Sequence, residues 1–125
     1  MKNSVVNGMG AFDRFFYKDT FCRKSVEIYY SLYEKLKNLA KTKYEATTNK
    51  LINAAVDELI RTENITLLKK DENEISEQHT ILLRQSLVDG LEVLKEKYDL
   101  SLYKLINIAI KNALDEEEIK DKSAQ

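Results

Sequence analysis

The chain has no proline, no tryptophan, one cysteine, one histidine and three glycines in 125 residues. Without proline and with so little glycine, proline-rich linkers, collagen and turn-dense β folds are disfavoured. The lone Cys22 allows no internal disulfide, and with His79 as the only histidine there is no Cys/His set for a structural zinc. No nucleophile–base–acid constellation stands out, which argues against an enzyme. No run reaches the ~18–20 apolar residues of a membrane span. Residues 1–22 lack the continuous apolar stretch followed by small residues that a secretory signal carries. The expectation is a cytoplasmic protein with a reduced Cys22, no membrane association and no cofactor.

What is present is ordinary for one soluble domain: 33% charged and 43% hydrophobic residues. The net charge of −1 does not carry the basic surplus usual in DNA-binding domains. The charge is unevenly spread, however. Residues 1–45 hold nine Lys/Arg against five Asp/Glu, a net of +4, and residues 115–125 hold two against five, a net of −3. A basic front and an acidic tail can hide a local basic face inside a neutral total.

The chain also repeats itself. Lys-Leu-Ile-Asn at 50–53 recurs at 104–107, Ala55 matches Ala109, and Lys43-Tyr44 matches Lys97-Tyr98, all at an offset of 54. Upstream the offset is 55: Val26 and Ile28 match Ile81 and Leu83, Ser31-Leu32 matches Ser86-Leu87, and Leu36 and Leu39 match Leu91 and Leu94. Two units of about forty residues thus share one pattern, with a one-residue difference in an internal turn, as duplication would leave.

Within each unit the hydrophobic period changes. Residues 25–30 put Val26 and Ile28 on one face, and residues 78–84 put Ile81 and Leu83 on one face, so both read as short strands. The period then becomes helical. Leu32, Leu36, Leu39 and Ala40 line a first helix, and Leu87, Leu91 and Leu94 its counterpart. Ser31 and Ser86 are candidate N-caps for these. After polar breaks at Glu45 to Thr48 and Asp99 to Ser101, second helices carry Leu51, Ile52, Ala55, Val56, Leu59 and Ile60, and then Leu105, Ile106, Ala109, Ile110, Ala113 and Leu114. Thr47 or Thr48, and Ser101, are their candidate caps. Residues 63–77 are a charged connector in which Ile65, Thr66, Leu67 and Leu68 could dock. The Asp115-Glu116-Glu117-Glu118 run opposes the helix dipole, so residues 116–125 are expected to fray as a solvated tail.

One strand–helix–helix unit leaves unpaired strand edges and an open apolar face. Two units together can pair their strands as an antiparallel ribbon and close four helices into one core. The fifteen-residue connector, spanning at most ~50 Å, is long enough to let both halves of a single chain do this at high effective concentration. The fold expected is mainly α with a two-stranded antiparallel β-ribbon, an intramolecular pseudo-dimer.

A short strand, a helix, a turn ending in Ser or Thr, and a helix opening toward Leu-Ile-Asn-x-Ala together resemble the ribbon-helix-helix DNA-binding proteins of the MetJ/Arc/CopG type. The stretch Leu94 to Leu114 carries the likeness best, and duplication makes the chain resemble a tandem version. The resemblance divides the chain into an N-terminal extension (1–22), a first repeat (23–62), the connector (63–77), a second repeat (78–115) and the acidic tail (116–125). It implies that the ribbon enters the major groove of double-stranded DNA with its outward side chains on base edges. With Val26, Ile28, Ile81 and Leu83 inside, the outward residues are Arg23, Ser25, Glu27, Gln78, Thr80 and Leu82, with Arg84 at the end. Arg suits guanine, Gln adenine, Glu the cytosine amino group, and Leu82 a thymine methyl. A one-residue slip of either strand would swap its faces. If the register holds, the two halves present different side chains, and the site need not be a perfect palindrome. The resemblance further implies phosphate contacts at the starts of the second helices, Thr47, Thr48, Ser101 and Leu102. An ordinary helix cap is the plainer reading of the same residues.

Phe12, Phe15, Phe16, Tyr17 and Phe21, with Arg14 and Lys18, form an aromatic cluster that either contacts a partner or packs on its own domain. The expected function is sequence-specific DNA binding, most simply by a transcriptional repressor, with two chains able to associate on adjacent sites. Proteins of this fold also serve as plasmid partition or conjugation accessory factors. The competing reading is a helical protein-interaction module, favoured by the near-neutral charge and by Glu27.

Overall fold

The computed structural model describes residues 20–66, 68 and 74–123. They form a mainly helical fold with one two-stranded antiparallel sheet. The elements are β1 (Phe21–Tyr29), α1 (Tyr30–Leu39), α2 (Thr48–Thr62), β2 (Ser76–Arg84), α3 (Gln85–Tyr98) and α4 (Leu102–Ser123). A π-helical turn, Ala40–Tyr44, extends α1.

The strands pair from Phe21 opposite Arg84 to Tyr29 opposite Ser76, with Ser25 opposite Thr80 at the centre. Val26, Ile28, Ile81 and Leu83 are buried, and the residues between them are exposed, as their period-two spacing requires. Beneath this inner face lie Leu32 and Leu36 of α1, Leu87, Leu91 and Leu94 of α3, and the inward stripes of α2 and α4. Those stripes are Ile52, Ala55, Val56 and Leu59, and Leu105, Ile106, Ala109 and Ile110. The helix α2 packs against α4 and, at Gly90, closely against α3: a Cβ at Gly90 would come within 2.7 Å of the Ile60 Cδ1.

Three features differ from the expectation. First, both strands begin earlier. Phe21 and Cys22 belong to β1 rather than to an extension, and Ser76 and Glu77 belong to β2 rather than to the connector. Each strand needs a paired partner along its whole length, and the nine-residue register supplies one. Second, Ser31 and Ser86 do not cap. The helices α1 and α3 follow their strands without a loop, with Tyr29 and Arg84 at the cap positions and no side-chain cap bond. Their first N–H groups are satisfied across the ribbon instead: Tyr30 N donates to the Ile75 carbonyl and Gln85 N to the Thr20 carbonyl, both at 2.7 Å. Ser31 instead donates to Glu74 Oε1 at 2.7 Å.

Third, the acidic segment after Leu114 is helical through Ser123 and has partners. Glu117 accepts from Lys43 Nζ at 2.7 Å and from the Tyr44 hydroxyl at 2.5 Å, and Asp121 accepts from Lys43 at 2.8 Å. The connector is likewise tied down in part, since Ile65 and Leu68 pack on the core and Thr66 donates to Asn112 Oδ1. Lys97 and Tyr98 both donate to Glu63 at 2.7 Å, a lysine–tyrosine pair on one carboxylate as at Glu117. Phe12, Phe15, Phe16, Tyr17, Arg14, Lys18 and Leu67 lie outside the described residues.

Candidate nucleic-acid interface

The ribbon's outer face is a row of cross-strand neighbours. From one end it runs Phe21 with Arg84, Arg23 with Leu82, Ser25 with Thr80, Glu27 with Gln78, and Tyr29 with Ser76. All seven residues expected to face outward on the strands, Arg23, Ser25, Glu27, Gln78, Thr80, Leu82 and Arg84, are exposed. One contact spans the middle of this surface: Gln78 Nε2 donates to Ser25 Oγ at 2.7 Å.

A two-stranded ribbon has two free edges, and here helices hold both. Asn107 of α4 accepts from Tyr29 N at 2.9 Å through Oδ1 and donates from Nδ2 to the Glu27 carbonyl at 2.9 Å. Its remaining amide hydrogen goes to the Tyr103 carbonyl at 2.8 Å, so this fully buried side chain has all its donors engaged. Asn53 of α2 does the same for β2, accepting from Arg84 N at 3.1 Å and donating to the Leu82 carbonyl at 2.8 Å. Asn49 adds a second pair of bonds to the Leu82 backbone, each at 2.9 Å. Both asparagines sit in the repeated Leu-Ile-Asn. They were visible in the sequence as the one polar residue within each apolar helix face, but no role followed from that alone.

These contacts place one second-helix start at each ribbon end. Thr47 caps α2, its hydroxyl accepting from Lys50 N at 3.1 Å, with Thr48 as the first helical residue. Thr47, Lys50, Phe21, Leu82 and Arg84 line a common cleft of about 710 Å³ beside that ribbon end. Ser101 accepts from Lys104 N at 3.2 Å, ahead of Leu102, the first residue of α4. At this second end Tyr29 and Tyr103 meet edge to face, 5.9 Å between centroids. Burial first, then the bond with Tyr29, pushes the Tyr103 phenol up to about 12. His79 lies flat on Tyr33, with 3.7 Å between ring centroids.

Protein-family models, curated proteins and solved structures give no match to this chain. Among the described residues, no three His, Cys, Asp or Glu side chains group into a metal site, and no helix is long and apolar enough to cross a membrane.

Proposed function

We propose that this chain is a sequence-specific double-stranded DNA-binding protein of the ribbon-helix-helix kind, with two repeats forming a pseudo-dimer within one polypeptide. The observation that carries the reading is the ribbon's outer face. It is an exposed, mostly polar, two-stranded surface held at both edges by Asn53 and Asn107, with a helix start beside each end. The major groove admits such a ribbon. The pseudo-dimer is supported by contacts that recur at the sequence's own offsets. Asn53 and Asn107 bind equivalent backbone groups, and Lys43-Tyr44 on Glu117 mirrors Lys97-Tyr98 on Glu63. Ser25 and Thr80, which match at the upstream offset, also pair with each other, as residues on a two-fold axis must.

In this reading Arg23, Ser25, Glu27, Gln78, Thr80, Leu82 and Arg84 meet base edges. Thr47, Thr48, Ser101 and Leu102 meet phosphates through the free N–H groups of the helix starts. Transcriptional repression in the cytoplasm by occluding a promoter is the simplest use. A plasmid partition or conjugation accessory role would employ the same ribbon, and the position of the bound site separates them. The net charge of −1 and Glu27 favour the second reading, an interaction module that binds no DNA.

The test is fluorescence anisotropy with the gene's upstream DNA and scrambled competitor at several salt concentrations. Tight, sequence-dependent binding with a steep salt slope is expected. The double substitution Arg23→Ala with Thr80→Ala should abolish the preference over competitor while the circular dichroism stays unchanged. An unaltered affinity would remove the ribbon from the interface.

A further inference from the structure

The two ends of the ribbon are chemically unlike. The two-fold relation through the Ser25–Thr80 pair carries Arg23 onto Gln78, Leu82 onto Glu27, and Arg84 onto Tyr29. One end therefore presents two guanidinium groups with the exposed apolar side chains of Phe21 and Leu82 between them, whereas the other presents a carboxylate and an amide. The cross-strand pairing sharpens the contrast. Tyr30 N bonds across to the Ile75 carbonyl, while Glu27 O and Tyr29 N turn outward to Asn107. Even-numbered β1 residues thus occupy hydrogen-bonded pairs, and Arg23 with Leu82 is a non-hydrogen-bonded pair. In pairs of that kind the Cα atoms lie about 4.5 Å apart, closer than in hydrogen-bonded pairs, which brings the side chains together. A guanidinium and an isobutyl group side by side match one feature of the major groove, a guanine edge next to a thymine methyl. At the other end, Glu27 accepts from the cytosine amino group and repels phosphate, while Gln78 suits adenine but is partly engaged with Ser25.

Resting on the DNA-binding reading above, we propose that the ribbon is polar. The Arg23–Leu82 end anchors a guanine–thymine half-site, the Glu27–Gln78 end supplies a weaker adenine- or cytosine-bearing half-site, and the duplex is held in one orientation. The two pairs are four residues apart. At ~3.4 Å per strand residue and ~3.4 Å per base pair, the two readouts fall about four base pairs apart.

The experiment is selection of the full chain on a library of random duplexes, followed by affinity measurements on the consensus with deoxyuridine replacing thymine in one half at a time. The expected consensus is non-palindromic. Loss of one contacted methyl in the guanine-bearing half should weaken binding about fourfold, the worth of one buried methyl-sized group, and the same change in the other half should do nothing. Leu82→Ala, whose side chain is exposed and whose backbone bonds to Asn49 and Asn53 remain, should erase the deoxyuridine effect. Giving the second end the same inner pair with Glu27→Leu and Gln78→Arg should make the selected consensus symmetric at the positions those two pairs read. A palindromic consensus for the native chain, a deoxyuridine penalty equal in both halves or absent from both, or a penalty that survives Leu82→Ala would overturn the polarity while leaving DNA binding intact. Failure to enrich any sequence would overturn the DNA-binding reading itself, and the polarity with it.

Discussion

Asn107 is a polar side chain with no exposed surface, set among Leu105, Ile106, Ile108 and Ile110. Burying an amide is costly unless its partners are present, and here three partners are. Removing it strands the Tyr29 N–H and the Glu27 carbonyl at the edge of the sheet. Asn107→Ala should therefore cost about 2–4 kcal/mol, a desolvation penalty for each orphaned group. Asn53→Ala should cost less, because Asn49 still bonds the Leu82 backbone. Urea unfolding of both variants checks the order, and equal losses would count against the edge-holding role. A second residue-scale feature is the left-handed backbone at Asp99, φ 52°, where α3 ends and Asp99 N returns to the Lys95 carbonyl. A side chain in that region costs about 1–2 kcal/mol that glycine does not incur, partly offset by glycine's freer unfolded chain. Asp99→Gly should raise stability by about 1 kcal/mol, and a lowered urea midpoint would contradict this.

At the scale of elements, the π-helical turn Ala40–Tyr44 has a plain origin. Leu39 and Leu94 match at an offset of 55 but Lys43 and Lys97 at 54, so one more residue separates Leu39 from Lys43 than Leu94 from Lys97. A π turn takes up one residue more than an α turn. It lets Lys43 and Tyr44 still reach Glu117 as Lys97 and Tyr98 reach Glu63. Deleting the exposed Lys41 should restore an α turn matching Leu94 to Tyr98 and leave the thermal midpoint nearly unchanged. A collapse in stability would show that the turn itself is needed. The one-residue discrepancy was readable in the sequence, but its conformation was not, since a loop, a bulge or a π turn absorbs it equally well. The same division holds elsewhere. Val26, Ile28, Ile81 and Leu83 announced the ribbon's inner face because alternation is a local property. The strand starts at Phe21 and Ser76, and the loss of the Ser31 and Ser86 caps, depend on hydrogen bonds to residues about forty-five to sixty-five positions away. The role of Glu117 was hidden for the same reason: a run of like charges looks solvated until Lys43, 74 residues earlier, is placed beside it.

At the scale of the whole molecule, Lys43 and Tyr44 on Glu117, and Lys97 and Tyr98 on Glu63, tie each half of the chain to the other. The hydrogen bond from Lys97, then that from Tyr98, holds the Glu63 carboxyl below its ordinary 4.5, and Lys43, then Tyr44, does the same for Glu117. On the other side of each contact, the bonds to Asp121 and then Glu117 hold the Lys43 ammonium above its ordinary value, and the bond to Glu63 does so for Lys97. A carboxyl with a lowered folded pKa stabilises fully above the unfolded value of 4.5. That contribution fades as pH falls through the lowered value, because the unfolded chain then binds protons first. The lysines and tyrosines are exposed and the two carboxylates half-buried, so each contact is worth little singly and is weakened by salt. Between about pH 5 and pH 3, the urea midpoint of the native chain should fall. With Glu63→Gln and Glu117→Gln together, it should start lower at neutral pH and fall less steeply with acid, the two curves converging at low pH. Parallel curves would mean that these contacts do not hold the halves together, and that the joining rests on the β1–β2 pairing and on the apolar packing of the helices.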